Sequence, residues 1–323
     1  MGARVGIASL LLLAASGLTA CATAPPVKPL ADGRMGTINF ESLNMTARDF
    51  LRGDGVGTPV VISGDLRLPT GASGRIPAMV IVHGSDGITA GEVGWANDLV
   101  KIGVAAFLMD SFSGRGIRET FSDQSQLNTL VMIVDAYRAL ELLATHPRID
   151  PTRIGVMGLS KGGWVTLYAS LRRFQRMHGP RGIEFAVYLP FYPGCSNRFV
   201  GDGDVGNRPI RIFNGEADDQ SLFTKCSELA ERLRRAGRDV EIVGYPGAYH
   251  AFDNPVAGPP RTSLVRQNFS RCSFDEAKPP ADMNAYVSSC RSQGVTAGYD
   301  SRARADAVRK VQTILGTVFQ LGR

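Results

Sequence analysis

The sequence lacks several patterns that would mark whole classes of protein. It has no CxxC pair and no Cys/His cluster at metal-ligand spacing, which argues against a zinc site. It has no basic stripe interleaved with aromatic residues, and its net charge of +6 is modest for 323 residues. A nucleic-acid partner is therefore not expected. No internal repeat is visible along the chain.

Long hydrophobic runs are scarce as well, and a short one lies at the N-terminus. Arg4 precedes an apolar stretch over residues 5–15 that is too short to span a bilayer as a permanent helix. A basic start, a short apolar stretch and small residues are typical of a secretory signal. We therefore interpret residues 1–20 as a signal peptide.

Residues 18–21, Leu-Thr-Ala-Cys, resemble a bacterial lipobox. The resemblance implies that Cys21 becomes the lipidated first residue of the mature protein. Ala22 stands where some lipoproteins carry the aspartate that retains them in the inner membrane, so an outer-membrane anchor facing the periplasm is implied. The Pro-rich residues 21–36 are then a tether. A plain cleaved signal with an incidental cysteine is the alternative.

Besides Cys21 the chain contains four cysteines: Cys195, Cys226, Cys272 and Cys290. In an exported chain, four cysteines suggest two disulfides, for which three connectivities are possible. We expect the local pairing, Cys195–Cys226 and Cys272–Cys290.

The composition, 44% hydrophobic and 20% charged, is that of a folded globular protein. Apolar strand patterns alternate with helical ones along much of the chain. Strands are predicted at residues 37–40, 60–68, 78–82, 104–109, 154–157, 185–189, 209–213 and 240–245, and helices at residues 91–102, 126–145, 222–236 and 302–321. This alternation predicts an α/β fold with a mostly parallel sheet and helices on both faces, formed by one domain over residues 37–323.

One segment interrupts the alternation. Residues 254–300 contain two Pro-Pro pairs and two cysteines but little periodicity, which predicts a long loop inserted before the last helix. Because it follows the last strand, we expect it near the mouth of the site, stapled by Cys272–Cys290. An excursion on the flank of the domain is an equal alternative.

Glycines flank the candidate nucleophile. Residues 158–162 read Gly-Leu-Ser-Lys-Gly, between a predicted strand and a stretch of helical character at residues 164–171. A serine at a sharp strand–turn–helix junction projects from the top of a sheet, and the flanking glycines provide the room that the turn needs. We predict Ser160 as the nucleophile; an ordinary glycine-rich turn is the alternative.

A serine hydroxyl is a poor nucleophile unless a base removes its proton. Of the four histidines, His250 lies just beyond the last predicted strand and C-terminal to every candidate acid. His250 is therefore the predicted base. His83 directly follows a strand and is expected to brace the next loop, whereas His146 and His178 are expected at the surface.

The base needs a carboxylate that fixes its tautomer. The loop after the strand at residues 209–213 offers Glu216, Asp218 and Asp219, which lie between serine and histidine in the chain order of an α/β hydrolase. Asp218 is the predicted acid, with Asp219 as a competitor and Glu216 as a weaker candidate. An acid that is not used in such a loop commonly caps the following helix.

Two N–H donors are needed for the oxygen that becomes negative during the reaction. The backbone of Lys161, the residue after the nucleophile, is expected to supply one. The loop after the strand at residues 78–82 is expected to supply the other, from Ser85 or, as the second choice, from Asp86.

These segments together resemble the dienelactone hydrolase family of α/β hydrolases. The resemblance depends on four motifs in order: residues 83–87 (His-Gly-Ser-Asp-Gly), 150–163, 215–218 (Gly-Glu-Ala-Asp) and 245–252 (Tyr-Pro-Gly-Ala-Tyr-His-Ala-Phe). It covers about residues 60–253 and the last helix. It implies the α/β-hydrolase fold, with Ser160, Asp218 and His250 as the catalytic triad.

Two departures from the family pattern shape the expected substrate. The founding activity of the family uses a cysteine nucleophile, where this chain has Ser160. It also uses arginines that hold the dienelactone carboxylate, and one of these lies shortly after the catalytic histidine. Residues 251–254, which directly follow His250 here, contain no arginine. Arg115 and Arg118 are expected at the loop surface or on backbone carbonyls. We therefore expect a serine hydrolase of small carboxylic esters or lactones, with neither a metal nor an organic cofactor.

Three rival functions share parts of this pattern. A prolyl-oligopeptidase-like peptidase has the same fold but usually carries a large N-terminal propeller, and few residues separate Cys21 from the first strands. An acyltransferase forms the same acyl-enzyme and differs only in the acceptor. A non-catalytic binding lipoprotein has no need of an intact set of Ser160, Asp218 and His250.

Overall fold

The computed structural model describes residues 26–53, 57–71 and 74–322. The predicted signal peptide, residues 1–20, and Cys21 lie outside these residues. The strands are β1 (Gly36–Asn44), β2 (Thr58–Arg67), β3 (Ile76–Val82), β4 (Ala105–Asp110), β5 (Ile149–Leu159), β6 (Tyr188–Phe191), β7 (Ile210–Gly215), β8 (Val240–Tyr245), β9 (Arg261–Asn268) and β10 (Ser292–Ala297). The helices are α1 (Ala47–Arg52), α2 (Ala90–Lys101), α3 (Thr129–Ala144), α4 (Lys161–Tyr168), α5 (Arg172–His178), α6 (Phe223–Arg235), α7 (Met283–Cys290) and α8 (Ser301–Val318). In this part of the chain no helix has the length and apolar character needed to cross a membrane.

An eight-stranded sheet has the order β1-β2-β4-β3-β5-β6-β7-β8. The strands from β4 to β8 along this order are parallel, and β1 and β2 add an antiparallel edge next to β4. Parallel strands present the loops at their carboxyl ends on one edge of the sheet, where ligands bind in open α/β folds. The predicted α/β fold with a mostly parallel sheet is confirmed.

Strand β3 shows why helices cover both faces of the sheet. Every residue of β3 is buried. Ala78, Val80 and Val82 belong to the core cluster that contains α3 to α6, whereas Met79 and Ile81 belong to the cluster with α2 and α8. Since successive side chains of a strand point to opposite faces, a continuous apolar run needs a helix layer on each side.

Most predicted elements are present, with their ends shifted by a few residues. The helix predicted at residues 126–145 is α3, which begins at Thr129 because the Asn128 side chain caps it by accepting from Leu130 N–H (3.2 Å). The strand predicted at residues 185–189 is β6, which ends at Phe191. Helices α1 and α5 were not predicted, because six or seven residues show too little of a helical period.

The predicted tether is shorter than residues 21–36. Val27 and Leu30 are buried in the core cluster on the α3 side of the sheet. The N–H of Leu30 donates to Thr145 Oγ1 (2.9 Å). This Pro-rich segment is thus docked on the domain at Val27 and Leu30, and the prediction of a tether was wrong for this part.

Residues 254–300 form ordered structure, and the prediction of a long loop was wrong. They contain α7 and an antiparallel hairpin of β9 and β10 outside the main sheet. Both disulfides of the local pairing are formed: Cys272–Cys290 closes the segment between β9 and β10, and Cys195–Cys226 ties the β6–β7 connection to α6. The sequence shows little periodicity here because most residues of the hairpin are exposed or half-buried and α7 has only 8 residues.

A buried ion pair connects the antiparallel edge to the helix layer. Arg115 donates to both oxygens of Asp135 in α3 (2.8 and 2.9 Å) and to the carbonyl of Leu43 in β1 (3.2 Å). Asp135 also accepts from Ser42 Oγ. The side chains of Arg115 and Asp135 are 4% and 0% exposed, so the charges depend on one another for the solvation that water no longer provides.

We predict that Asp135→Ala lowers the free energy of unfolding by about 3–5 kcal/mol, because it leaves the Arg115 guanidinium buried without its counter-charge. Urea denaturation followed by circular dichroism measures the change. Glu231→Ala, which removes an exposed ion pair with Arg235, is the matched control and is expected to change little. Equal stability of the two variants would contradict the structural role of the Arg115–Asp135 pair.

Candidate active site

Ser160 lies at the junction of β5 and α4 with φ 54° and ψ −112°. A residue with a Cβ atom is strained at positive φ, and such strain persists only where the surroundings impose it. Here they do so through backbone packing. A Cβ on Gly158 would lie 2.1 Å from the carbonyl oxygen of Gly162, and a Cβ on Gly162 would lie 2.1 Å from that of Val82. The two glycines are therefore required for the turn that raises the Ser160 hydroxyl above the sheet.

The structure brings together the three side chains predicted as a triad. Ser160 Oγ lies 2.8 Å from His250 Nε2, and His250 Nδ1 lies 2.8 Å from Asp218 Oδ2. The other oxygen of Asp218 accepts from the N–H groups of Gln220 (2.9 Å) and Ser221 (2.8 Å). The carboxylate favours the tautomer with a proton on Nδ1, which leaves Nε2 as the acceptor for the serine proton.

The two competing acids have other neighbours. Both carboxylate oxygens of Asp219 accept from the N–H of Thr296 in β10 (3.0 and 3.2 Å). Asp219 thus holds the hairpin and does not cap the following helix. Glu216 lies beside Gly244 of β8: a Cβ atom added to Gly244 would lie 2.5 Å from Glu216 Oε1. Of the three acids, Asp218 is the one that contacts His250.

The remaining histidines have structural surroundings. His83 Nε2 accepts from Ser111 N–H (3.2 Å), so the proton is on Nδ1, which donates to the Gly84 carbonyl (2.7 Å). Burial lowers the pKa of His83, which keeps this bracing ring neutral. His146 was predicted at the surface but is 1% exposed, and His178 is half-buried against Phe50. In the described part of the chain, no three His, Cys, Asp or Glu side chains form a group suited to a metal ion.

The two residues predicted as oxyanion donors, Lys161 and Ser85, line the same cavity as Ser160. Lys161 is the first residue of α4, where a backbone N–H has no acceptor within the helix. The loop that holds Ser85 packs directly on the nucleophile, since a Cβ on Gly84 would lie 3.5 Å from Ser160 Cβ. Its position is fixed by Thr120 N–H, which donates to the Ser85 carbonyl (2.8 Å), and by Gln124 Nε2, which donates to Ser85 Oγ (2.9 Å).

The segment of residues 254–300 forms hydrogen bonds with the loops that carry the acid and the base. Besides the bond from Thr296 to Asp219, the Gly298 N–H donates to the carbonyl of His250 (3.0 Å). The Asp300 N–H donates to the carbonyl of Phe252 (2.9 Å). The segment therefore joins the loop that carries the acid to the loop that carries the base, which excludes a mere excursion on the flank.

A buried carboxylate behind His250 was not found from the sequence. Asp253 is 1% exposed and accepts from Tyr192 Oη (2.7 Å) and Trp95 Nε1 (2.6 Å). The ring of Tyr192 lies edge-on to that of His250, with centroids 4.7 Å apart. Burial and the adjacent Asp253 raise the pKa of Tyr192, so its hydroxyl stays protonated and donates. Trp95, Tyr192 and Asp253 are far apart in the sequence, so no motif of fixed spacing predicts that they come together.

Two cavities meet at Ser160. The first, which we name the apolar chamber, has a volume of about 410 Å³; it contains Ser85 and Lys161 and is lined by Leu51, Leu130, Trp164, Phe199, Phe269 and Phe274. The second, the polar chamber, has a volume of about 540 Å³; it contains His250 and is lined by Asp86, Glu92, Asn254, Arg261, Thr262 and Arg266. Ser160 therefore lines both chambers. Asp86, the alternative oxyanion donor, lies on the polar side and pairs with Arg266.

Comparisons with curated proteins find distant relatives. Over 189 residues the chain is 25% identical to the "Probable 2-oxo-3-(5-oxofuran-2-ylidene)propanoate lactonase" of Bradyrhizobium, which covers 56% of this chain and 75% of that protein. Over 159 residues it is 24% identical to the "Uncharacterized peptidase YuxL" of Bacillus subtilis, which covers 42% of this chain. The matched region spans only 24% of the peptidase's length.

A solved structure and a family model extend the match over most of the chain. The crystal structure of a putative dienelactone hydrolase from Klebsiella pneumoniae superposes with a TM-score of 0.55 at 16% identity, over 87% of this chain and 98% of that one. At this identity the likeness shows the fold. The model of the dienelactone hydrolase family matches residues 62–319, which include Ser160, Asp218 and His250. The resemblance of the four sequence motifs is thus confirmed, and the chain belongs to the dienelactone hydrolase family.

Proposed function

We propose that this protein is a serine hydrolase that cleaves carboxylic esters or lactones through an acyl-enzyme. The observation that carries the proposal is the continuous hydrogen-bonded chain from Ser160 Oγ through His250 to Asp218, with both contacts at 2.8 Å. Ser160, at one end of this series of hydrogen bonds, lines both chambers. Membership of the dienelactone hydrolase family and the lactonase name of a relative support an ester or lactone as the bond that is cleaved.

In the first half-reaction, Ser160 Oγ attacks the carbonyl carbon while His250 Nε2 takes the hydroxyl proton. The carbonyl oxygen receives the electron pair, and the N–H groups of Lys161 and Ser85 donate to it, each contributing roughly 3–4 kcal/mol in the transition state. Asp218 stays ionised and stabilises the imidazolium. The intermediate then collapses, the C–O bond to the alcohol breaks, and His250 protonates the departing alkoxide.

In the second half-reaction, water replaces the alcohol. His250 Nε2 takes a proton from the water molecule as its oxygen attacks the acyl carbon. Collapse of this second intermediate breaks the bond to Ser160 Oγ, which regains its proton from His250, and the carboxylic acid leaves. His250 ends the cycle neutral, as it began.

The two neighbouring acids provide a matched test of the triad. Asp218→Asn is expected to lower kcat for short-chain p-nitrophenyl esters by about 10⁴, because an amide in place of the carboxylate stabilises the wrong tautomer of His250. Asp219→Asn is expected to change kcat by less than about threefold, since an amide oxygen can still accept from Thr296 N–H (3.0 Å). Initial rates at saturating ester measure both effects. The reverse order would assign the acid to Asp219.

Covalent labelling tests the nucleophile independently of the substrate. We expect a fluorophosphonate probe to label the wild type and neither Ser160→Ala nor His250→Ala, because the first lacks the attacking oxygen and the second lacks its base. Turnover of p-nitrophenyl esters but not of dipeptidyl amides would separate the esterase from the peptidase. A folded wild type that takes no label would contradict the proposed function and favour the binding lipoprotein.

We also propose that the protein is exported and anchored by a lipid on Cys21 to the outer membrane, facing the periplasm. The motif at residues 18–21 supports this anchor. The disulfides Cys195–Cys226 and Cys272–Cys290 support export, since structural disulfides persist in oxidising compartments such as the periplasm.

The anchor is tested by Cys21→Ser in a bacterial expression host. We expect the wild type to incorporate radiolabelled palmitate and to sediment with outer membranes, and the variant to do neither, because the lipid is attached through the cysteine sulfur. Cys21 lies far from Ser160 in sequence, so probe labelling of both proteins serves as the folding control. An unlabelled wild type in the soluble periplasmic fraction would contradict the anchor.

A further inference from the structure

The side chain of Lys161 has no role in the proposed mechanism, which uses only its backbone N–H. The residue is 7% exposed and lines the apolar chamber directly beside Ser160. Its Nζ donates to the carbonyl oxygen of Leu127 (3.2 Å). An ammonium group has three N–H donors, so a single neutral acceptor leaves a buried charge poorly compensated.

Two titratable groups act on Lys161 from the neighbouring elements. Asp123, which precedes α3, attracts the ammonium, but its carboxylate is engaged by Ser125 N–H (3.0 Å) and makes no ion pair with Lys161 among the described residues. His83, after β3, is buried and neutral. Burial lowers the pKa of Lys161 to about 7, against the smaller opposing effect of Asp123.

A second donor on the same chamber lacks a partner. Asn128 follows Leu127, and its Oδ1 caps α3 by accepting from Leu130 N–H (3.2 Å). Its Nδ2 is buried and has no hydrogen-bond partner in the described part of the chain. Buried amide groups are nearly always hydrogen-bonded, so an unpaired one at a cavity wall indicates a missing acceptor. Lys161 and Asn128 thus lie together in the wall of a chamber whose other walls are mainly apolar.

The position of His250 determines which part of the substrate enters this chamber. His250 lines the polar chamber and not the apolar one. Since the same imidazole must protonate the departing alkoxide, the alcohol part of the ester lies on the polar side. The acyl part then lies in the apolar chamber, with Lys161 and Asn128. This assignment rests on the proposed function.

We propose that the acyl group is an apolar chain ending in a carboxylate, which Lys161 Nζ and Asn128 Nδ2 bind, so that the substrates are half-esters of dicarboxylic acids. A carboxylate supplies both the counter-charge and the acceptor lone pairs that these two groups lack. The spacer between the ester and the carboxylate contacts the apolar walls, including Trp164 and Phe199.

The test compares two matched esters on one enzyme. Mono-p-nitrophenyl esters of adipic and suberic acid are compared with p-nitrophenyl esters of branched fatty acids of the same shape, in which an isopropyl group replaces the carboxylate. The readout is the ratio of kcat/KM for the acidic ester to that for the neutral one. We expect a wild-type ratio of about 10 to 100, the range for charge-assisted hydrogen bonds. Changes that affect both esters alike cancel in the ratio.

Substitutions at the two donors identify the binding groups. Lys161→Met is expected to bring the ratio to about 1 or below, and Lys161→Arg to preserve it. Asn128→Asp keeps an oxygen to cap α3 but replaces the donor by a negative charge, so the ratio is expected to fall at least tenfold. Lys101→Met, at an exposed lysine, is the control and leaves the ratio unchanged.

The pH dependence of the ratio in the wild type provides a second readout, which remains available if Lys161→Met is inactive. Lys161 is charged below its pKa of about 7 and neutral above it. The carboxyl group of the ester is ionised above a pKa of about 4.3, the value for a Glu side chain. The wild-type ratio is therefore expected to be highest between about pH 5 and 6 and to fall as the pH rises through about 7. His250 and Ser160 act on both esters and cancel. In Lys161→Arg the charge persists, and the ratio is expected to stay constant with pH.

The outcomes separate this proposal from the proposed function. Equal turnover of the acidic and neutral esters by the wild type, or a preference for the neutral ones, overturns the carboxylate site and leaves the serine hydrolase intact. If Arg261→Met abolishes the preference for the acidic ester and Lys161→Met preserves it, the carboxylate binds in the polar chamber. That result also overturns the proposed site at Lys161. Absence of turnover and of fluorophosphonate labelling overturns the proposed function itself.

Discussion

The left-handed backbone of Ser160 is the constraint on which the site depends. Its turn is packed backbone against backbone, with Gly158 against Gly162 and Gly162 against Val82. A flexible side chain could move away from an added methyl group, but a carbonyl fixed in a strand or helix cannot. The hydroxyl therefore has one position relative to the sheet. Asp218 and His250 reach it from the loops after β7 and β8, because parallel strands end on the same edge.

Acid and base are carried by separate loops, which makes their relative position vulnerable to loop motion. The segment of residues 254–300 counters this by bonding to both: Thr296 holds the side chain of Asp219, and Gly298 holds the backbone of His250. A triad held near its reactive geometry saves the entropy of ordering it in each cycle. The hairpin, closed by Cys272–Cys290, thus serves the chemistry while standing outside the main sheet.

The buried charges differ in how completely they are compensated. Asp135 has the bidentate Arg115, and Asp218 has His250 and two backbone N–H donors. Asp253 has two neutral donors. Lys161 has one neutral acceptor and lies on the wall of an open chamber. Since uncompensated burial of charge is costly, burial lowers the pKa of Lys161 to about 7, and a carboxylate bound in the chamber would stabilise its ammonium form.

The amino-acid sequence by itself determined the α/β class, most of the parallel strands, the nucleophile Ser160 and the base His250. These features depend on local patterns: apolar runs, glycines around a serine, and the order of residues after strand ends. Only the tertiary structure decided between Asp218 and Asp219, which are adjacent in sequence, and placed His146 in the interior. It alone revealed the order within residues 254–300, the Tyr192–Asp253–Trp95 network and the two chambers. These features arise from contacts between residues far apart in the chain, and a local pattern carries no information about which distant atoms will surround it.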